Sequence, residues 1–257
     1  PVTSKLYAIF LTGTAGAGKS LLTSVLKTWY SDNGATTIAV NLDPGAFSLP
    51  YSPDVDVKSH IDLPSIMDSY QLGPNGALIF ASDMISTRLP EIQEQVDTLN
   101  PDYAIFDTPG QVELFAYRQS GPYFIEKFVC DAKCSIFLFD STLVSNAINY
   151  VSIALLAASL KMRLNVPQIA ALSKRDIVGD HWKKLLEWSS DSLKLEEALF
   201  EEKRCTEYVL SSDILRNLVK SDFYYELIPF SSITQDGILN LSAMLSRILS
   251  GGEEASN

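Results

Sequence analysis

The amino-acid sequence predicts an α/β protein built on a doubly wound, mostly parallel sheet that carries helical insertions. Two observations predict this fold: short runs of β-branched and aromatic residues recur along the 257-residue chain, and a helical pattern follows most of them. Strands that alternate with helices are joined by right-handed crossovers, so the helices wind onto both faces of a parallel sheet. A hydrophobic content of 46% allows one large core.

The predicted strands are almost continuously apolar, which is typical of strands buried on both faces. The first is LYAIFLT at 6–12. Five more follow, of which the last is the weakest: 36–42, 102–107, 134–140, 168–173 and 226–230. Helices are predicted between the strands at 19–30, 90–99, 119–130, 145–162 and 236–249.

Two segments interrupt this alternation. Residues 44–86 are rich in proline and weakly periodic, and residues 180–223 are charged and amphipathic. Neither is long enough to hold a core of its own, so we predict one domain over 1–257 with two insertions and a disordered tail at 251–257. The second insertion either packs on the edge of the core or offers a contact surface to a partner protein.

The charge balance argues against one class of partner. Lys and Arg total 20 against 31 Asp and Glu, so the formal net charge is −11 and the pI is near 4.6. An acidic chain has no broad electrostatic attraction to phosphate backbones, so we expect no nucleic acid as primary partner.

Cysteine usage and apolar segments predict a cytoplasmic protein without a membrane partner. The three cysteines form no disulfide framework, and the two histidines do not complete a zinc site with them. No basic region precedes the first apolar run, so no signal peptide is predicted. The longest apolar helix candidate, around Val151–Leu160, is too short to span a bilayer and is followed by Lys161 and Arg163.

A glycine-rich motif follows the first predicted strand. GTAGAGKS, Gly13 to Ser20, is a P-loop pattern between a buried strand and a helix. Its backbone N–H groups can cradle phosphate oxygens, Lys19 can reach the β- and γ-phosphates, and Ser20 can ligate Mg²⁺. The motif predicts a nucleoside triphosphate site with these contact residues: Gly13, Ala15, Gly16, Ala17, Gly18, Lys19, Ser20 and Leu21.

A second motif, DTPGQVE at 107–113, ends the third predicted strand. Asp107 is placed there to hold Mg²⁺ beside the P-loop, usually through water. Gly110 offers an N–H to the γ-phosphate, so this loop can sense whether that phosphate is present. Gln111 is suited to orient an attacking water.

A third motif, SKRD at 173–176, follows the fifth predicted strand. Asp176 can accept two hydrogen bonds from guanine, whereas adenine offers no such pair of donors, and the Lys174 stem can lie over the base. Ser173 stands where GTPases usually have Asn, so the effect on nucleotide affinity stays open. In PFSSITQDGI (229–238), Ser232 and Ile233 are candidates to close over the guanine oxygen with a backbone N–H.

One further stretch gains meaning only from its neighbours. Read alone, Gly73–Gly76 predicts a tight turn that leads into an apolar strand. Together with GTAGAGKS, VNLDPG (40–45), DTPGQVE, SKRD and SSITQDGI, the stretch QLGPNGAL (71–78) resembles the GPN-loop GTPases, named after Gly-Pro-Asn, and most of all their shorter, archaeal-type members. The resemblance covers nearly the whole chain and implies a P-loop GTPase fold.

The resemblance also implies a homodimer whose nucleotide sites face each other. The Gly-Pro-Asn loop (Gly73, Pro74 and Asn75) then reaches the partner's site, where Asn75 contacts the γ-phosphate region or the attacking water. Asp43 matches the family's acidic residue near Mg²⁺ and that water. Glu113 ranks below Gln111 for positioning the water, and no conventional arginine finger is evident, since Arg118 lies downstream of the switch.

These expectations combine into a hypothesis of GTP hydrolysis by a homodimer that binds GTP or GDP with Mg²⁺. Lys19, Gln111, Asp43 and Asn75 are its catalytic candidates, and Ser20, Asp43 and Asp107 are its metal candidates. Eukaryotic relatives suggest protein clients in complex assembly, such as that of RNA polymerase. Two alternatives stay open: a GTP-binding assembly module with little hydrolysis, and a P-loop kinase that acts on a small molecule.

Overall fold

A computed structural model describes residues 5–202 and 226–251, and the strands within these ranges form one seven-stranded sheet. The strands are β1 (Tyr7–Gly13), β2 (Thr37–Asn41), β3 (Val55–Asp56), β4 (Tyr103–Asp107), β5 (Ala132–Asp140), β6 (Gln168–Ser173) and β7 (Ile228–Pro229). Their order is β3-β2-β4-β1-β5-β6-β7, and every neighbouring pair is parallel. The predicted fold class is confirmed.

Helices connect these strands and cover the sheet. They are α1 (Lys19–Asp32), α2 (Leu63–Tyr70), α3 (Pro74–Met84), α4 (Leu89–Leu99), α5 (Val112–Phe115), α6 (Ser120–Lys127), α7 (Ala147–Leu164), α8 (His181–Ser190), α9 (Ser192–Glu201) and α10 (Ile238–Leu249). Short 3₁₀ turns lie at Val57–Ser59 and Ile85–Arg88.

Strand β1 lies in the middle of the sheet, where the winding of the chain reverses. It pairs with β4 on one side and with β5 on the other. Parallel strands place their carboxyl ends on the same edge, and open α/β sheets bind ligands at that edge where the winding reverses. The loops after β1, β2, β4 and β6 therefore share the edge at which a site is expected.

Neighbouring side chains of β1 point to opposite faces of the sheet, and both faces are packed. On one face Phe10 stacks on Phe106 with ring centroids 4.5 Å apart, and Phe124 of α6 approaches both rings edge-on. On the other face Ile9 and Leu11 belong to a second buried cluster with residues of α1 and α10. The loop that follows β1 therefore starts from a rigid support.

The structure corrects the prediction for the residues after the Gly-Pro-Asn turn. They begin helix α3 rather than a strand. Gly73 is the N-cap with an extended backbone, and Pro74 is the first helical residue, where its missing N–H leaves no bond unmade. Ala77 and Ala81 are buried four residues apart, so the apolar run follows the helical period. The two-residue strand β3 is also absent from the sequence-based assignment.

Helix α7 is longer than its predicted apolar segment. It has 18 residues and is the one described helix that is long and apolar enough to cross a membrane by length and composition. The expectation that this segment is too short is therefore wrong. However, the Tyr150 ring lies 6.0 Å from Phe139 of the sheet and 5.8 Å from Trp188 of α8. Tyr150 and other residues on one face of α7 belong to the main buried cluster, so this face packs against the protein core.

The two predicted insertions differ in how far the structure describes them. Residues 44–86 contain β3, the first 3₁₀ turn, α2, α3 and the start of the second 3₁₀ turn. Residues 180–202 contain α8 and α9, whose Leu185, Trp188 and Leu195 belong to the main buried cluster. The rest of 180–223 lies outside the described residues, as does the predicted tail 251–257 apart from Gly251.

Candidate functional site

Glycines shape the loop between β1 and α1. Gly16 and Gly18 have positive φ angles of 77° and 98°, and Gly18 is the N-cap of α1 without a side-chain cap. A Cβ at Gly13 would lie 2.9 Å from the Leu138 carbonyl oxygen, so the loop requires glycine there. An N-terminus that no side chain caps is suited to bind an anion. The neighbouring Ala15 and Leu21 are exposed.

Lys19 is buried inside this loop, with only 5% of its surface exposed. Its Nζ donates hydrogen bonds to the carbonyl oxygens of Gly13 at 2.9 Å, Thr14 at 3.0 Å and Gly110 at 3.4 Å. Burial lowers the pKa of Lys19 to about 8, although the nearby carboxylates of Asp107 and Asp43 act to raise it. The Gly110 contact joins the P-loop to the loop after β4.

Asp107, at the end of β4, is a buried carboxylate with one free oxygen. Its Oδ2 accepts a hydrogen bond from the Tyr51 hydroxyl at 3.0 Å, whereas Oδ1 has no hydrogen-bond partner among the described residues. Burial raises the pKa of Asp107, and the hydroxyls of Ser20 and Tyr51 and the charge of Lys19 oppose this rise. A buried oxygen without a partner is costly unless a ligand completes it.

These groups fit a magnesium ion. Carboxylate and hydroxyl oxygens are hard donors, and Mg²⁺ is held by one or two carboxylates while water and phosphate oxygens supply its other ligands. Within residues 5–202 and 226–251 no group of three or more His, Cys, Asp or Glu side chains could hold a metal by itself. Asp107 and Ser20 offer two such oxygen donors, and any further ligands would have to come from water or phosphate.

Asp43 links the loop after β2 to the loop after β4. Its Oδ1 accepts a hydrogen bond from the Gly45 N–H at 2.8 Å, and its Oδ2 accepts one from the Gly110 N–H at 3.2 Å. The buried Asn41 holds this turn from below: its Oδ1 accepts from the Asp43 N–H at 3.0 Å, and its Nδ2 donates to Asp56 at 2.9 Å. Gly110 thus contacts Lys19 through its carbonyl and Asp43 through its N–H.

Ser173, at the end of β6, ties the SKRD loop to the P-loop. Its hydroxyl is buried and donates to the Ala17 carbonyl at 2.9 Å, with the Phe139 carbonyl 3.3 Å away. Serine therefore braces this loop even though it is shorter than the usual Asn. The exposed Asp176 has no hydrogen bond or ion pair within the described parts of the chain, so its carboxylate is available to a ligand.

Lys174 is held in place beside the same loop. It has a positive φ of 58°, and its Nζ donates to Asp140 Oδ2 at 2.7 Å. Burial acts to raise the pKa of Asp140, but hydrogen bonds from Lys174 and Thr142 outweigh it, so the pKa is lowered and the carboxylate stays charged. The Lys174 stem is consequently fixed by an ion pair at its tip.

The loop after β7 is folded around a buried serine. Ser231 Oγ accepts hydrogen bonds from the backbone N–H groups of Ile233 at 3.2 Å and Thr234 at 3.1 Å. The Arg175 guanidinium lies 3.2 Å from Asp236, and the Arg175 N–H donates to the Phe230 carbonyl at 3.3 Å. The loop with Ser232 and Ile233 is therefore attached to the SKRD loop.

The Gly-Pro-Asn turn lies beside the Asp43 turn rather than in the hydrogen-bonded centre. Pro74 and Leu78 line an apolar groove of about 410 Å³ together with residues 44–47. A Cβ at Gly45 would come within 2.6 Å of Leu78 Cδ2, so the two turns pack closely. Asn75 is exposed and makes no side-chain hydrogen bond to a described residue.

Comparison with known proteins identifies the family of this chain. The family model described as "Conserved hypothetical ATP binding protein" matches residues 11–251. GPN-loop GTPase 3 of Saccharomyces cerevisiae is 30% identical over 237 residues, which are 90% of this chain and 87% of that protein. The chain belongs to the GPN-loop GTPase family. The family resemblance predicted from the sequence motifs is thereby confirmed.

Other relatives of the GPN-loop GTPase family match to different extents. GPN-loop GTPase 1 of Dictyostelium discoideum is 28% identical over 90% of this chain, which spans 58% of that protein's length. The chain spans 63% of the corresponding S. cerevisiae protein. The crystal structure of a GTPase in apo form from Pyrococcus abyssi has a TM-score of 0.82 over 96% of this chain and 98% of its own. At 23% identity this similarity shows the shared fold.

Sequence reasoning missed several residues that organise this candidate site. Asn41 is buried under Asp43, Tyr51 contacts Asp107, and Ser231 folds the last loop. Asn41 lies within the motif VNLDPG and its burial could have been expected from the strand pattern. Tyr51 gave no signal, because its contact joins residues 56 positions apart.

Three residues considered in the sequence analysis lie outside the hydrogen-bonded centre. Gln111 is the N-cap of α5 and is exposed, as is Glu113. Arg118 forms a two-pronged ion pair with Asp83 near the end of α3, through Nε and one terminal nitrogen. An arginine held in this way is engaged within its own chain.

Proposed function

We propose that this protein is a cytoplasmic GTPase that hydrolyses GTP to GDP and phosphate and works as a homodimer. The observation that supports it is a hydrogen-bonded chain of loops along one edge of the sheet: Lys19 bonds Gly110, Gly110 bonds Asp43, and Ser173 bonds Ala17. Phosphoryl transfer depends on positioning and charge stabilisation, and these contacts hold the necessary loops together.

The phosphates would bind at the start of α1. The Lys19 ammonium exchanges its carbonyl acceptors for β- and γ-phosphate oxygens, and the uncapped N–H groups of α1 bind the remaining oxygens. Ser20, Asp107 and Asp43 are the proposed Mg²⁺ ligands, directly or through water. When bound, the ion neutralises charge that develops on the phosphate oxygens.

The base would be read by Asp176. Its free carboxylate accepts from the two donors of guanine, and a site built on such bonds rejects analogues that lack them. The brace from Ser173 to Ala17 fixes the distance between the base loop and the phosphate loop. The description of the matching family model speaks of ATP, whereas the named relatives are GTPases. Asp176 favours guanine.

Hydrolysis requires a positioned water, for which Asp43 and Gln111 are the proposed residues. Both follow strands that end at the same edge of the sheet. We propose that Asn75 of the partner subunit completes the site, because in its own chain Asn75 is exposed on the first turn of α3. A group supplied from a partner makes turnover depend on dimer formation.

The assignment of Asp176 to guanine recognition is tested by replacing its carboxylate with an amide. Asp176→Asn replaces an acceptor with a donor, so it should weaken GTP binding and improve binding of xanthosine triphosphate, which has a carbonyl in place of the guanine amino group. Asp180→Asn, on an exposed carboxylate nearby, is the matched control. Phosphate release is measured with GTP, xanthosine triphosphate and ATP. Unchanged nucleotide preference in Asp176→Asn would refute the assignment.

The action of Asn75 across the dimer is tested by mixing two inactive variants. We expect Asn75→Ala to lose turnover and keep GDP affinity, whereas Asn240→Ala, at an exposed helical asparagine, should keep both. Mixing Asn75→Ala with Lys19→Met restores one complete site in each mixed dimer. Random pairing predicts about a quarter of wild-type activity. No recovery after verified subunit exchange would contradict the proposal.

The same assay separates the alternatives. Tight GTP binding with little phosphate release would favour the assembly module. In that case the exposed Gln111 would be positioned only by a further partner. Phosphorylated product instead of free phosphate, when candidate acceptors are added, would favour a kinase. Client proteins in complex assembly are proposed from family membership, and the described helices α8 and α9 are the proposed contact surface. Pulldown with exposed charges of α8 and α9 neutralised tests this surface.

A further inference from the structure

The Tyr51 hydroxyl lies 3.0 Å from Oδ2 of Asp107, the proposed metal ligand. Tyr51 belongs to none of the sequence motifs. It lies in the loop between β2 and β3 that also contains Asp43. An ionised carboxylate oxygen only accepts hydrogen bonds, so the Tyr51 hydroxyl is the donor in this contact. The hydrogen bond therefore has a fixed direction.

The backbone on both sides of Tyr51 is anchored to α1. The Ser24 hydroxyl donates to the Pro50 carbonyl at 3.4 Å, and Lys27 Nζ donates to the Ser52 carbonyl at 3.4 Å. Lys27 also forms an ion pair with Asp54 at 2.6 Å, and Asp54 in turn accepts from the backbone of β2. Since α1 begins at the P-loop, Tyr51 is held against the same helix that carries Lys19 and Ser20.

The two oxygens of Asp107 have different surroundings because of Tyr51. Oδ2 is occupied by the tyrosine hydroxyl, and Oδ1 is buried without a hydrogen-bond partner in the described chain. A carboxylate held at one oxygen cannot rotate freely, so its other oxygen keeps a constant direction. Hydrogen-bond partners of metal ligands orient them in this way, and their loss weakens metal binding about 10- to 100-fold.

We infer that Tyr51 is a positioning residue for metal binding, which holds Asp107 at Oδ2 and leaves Oδ1 for a divalent cation. This inference rests on the proposed function, because it assigns Mg²⁺ to Asp107 and Ser20. It adds one residue to that site: the affinity for the cation depends on Tyr51, whereas nucleotide contacts in the absence of the cation come from the P-loop.

The test is Tyr51→Phe, which removes only the hydroxyl. Mn²⁺ binding to the GDP-loaded protein is measured by electron paramagnetic resonance, and fluorescent GDP affinity is measured separately in EDTA. We expect Mn²⁺ to bind tenfold or more weakly, with GDP affinity in EDTA unchanged. Tyr70→Phe, on an exposed tyrosine of α2, is the control and should match wild type in both.

Two results would overturn the inference: unchanged Mn²⁺ affinity, or an equal loss of GDP affinity in EDTA, which would mean a general structural role. Should Tyr51→Phe fold poorly, Ser24→Ala loosens the same loop without touching the carboxylate, and the same split of smaller size is expected. Because the GDP complex is used, no turnover is needed. Absent GTP hydrolysis would therefore count against the proposed function and leave this test valid.

Discussion

The buried Lys19 predicts a pH dependence of nucleotide binding that can be worked out from its pKa. In the free protein that pKa is about 8 because of burial, and a bound diphosphate would raise it well above this value. Only the ammonium form binds phosphate strongly, so above pH 8 the protein must take up a proton when GDP binds. Affinity for GDP should therefore fall as the pH rises through 8.

The size of the effect follows from the fraction of deprotonated Lys19. Between pH 7 and pH 8.5 the dissociation constant should rise about fourfold, and at pH 8.5 binding should take up about three quarters of a proton. Calorimetry in two buffers of different ionisation enthalpy measures both quantities. The upper limit keeps the experiment below the pH at which guanine itself ionises.

A matched variant separates Lys19 from other titrating groups. Lys19→Arg stays protonated throughout, so its GDP affinity should be lower but independent of pH. A flat profile for the wild type, or the same slope in Lys19→Arg, would refute the reasoning. The free protein should behave in the opposite sense: its stability relative to Lys19→Met should rise between pH 8 and 10.5, because there the unfolded state holds more protons.

Two further predictions concern packing. Ser173→Ala leaves the buried Ala17 carbonyl without its donor. We expect the free energies of unfolding and of GDP binding to fall by about 1 to 3 kcal/mol in total, and to fall less in Ser173→Asn. Wild-type values in both measurements would contradict the bracing role. Gly121→Ala would place its Cβ 2.2 Å from the Phe115 carbonyl oxygen and should cost about 1 to 3 kcal/mol in urea unfolding. Gly76→Ala, whose Cβ would come no closer than 3.4 Å to Leu72, is its control, and equal stability of the two would disprove the steric argument.

Much of the fold could be predicted because its strands are buried on both faces and therefore carry a local signal. The run 102–107 is an example, since β4 occupies Tyr103–Asp107. The strand prediction for the residues after Pro74 was wrong because a short apolar stretch fits both a strand and a buried helix. Capping decided the outcome: Gly73 and Pro74 start a helix, and Ala77 and Ala81 then face the core.

The candidate site divides in the same way. The residues of the P-loop are contiguous, so their arrangement follows from a local pattern of glycines. The contacts of Tyr51 with Asp107 and of Ser173 with Ala17 join residues 56 and 156 positions apart, and only the topology of the sheet brings them together. Exposure is equally nonlocal, which is why the outward positions of Gln111 and Asn75 could not be read from their motifs.

The ion pair between Arg118 and Asp83 has a mechanical consequence. Asp83 lies at the far end of α3 from the Gly-Pro-Asn turn, about 14 Å along the helix axis, and Arg163 of α7 donates to the carbonyls of Ala116 and Tyr117 just before Arg118. Two parallel hydrogen bonds resist twisting as well as stretching. Helix α3 therefore connects two parts of the chain: its C-terminal end is attached to the segment after DTPGQ, and its N-terminal turn carries Asn75. In the proposed GTPase, a displacement of that segment on loss of phosphate would therefore be transmitted along α3 to Asn75.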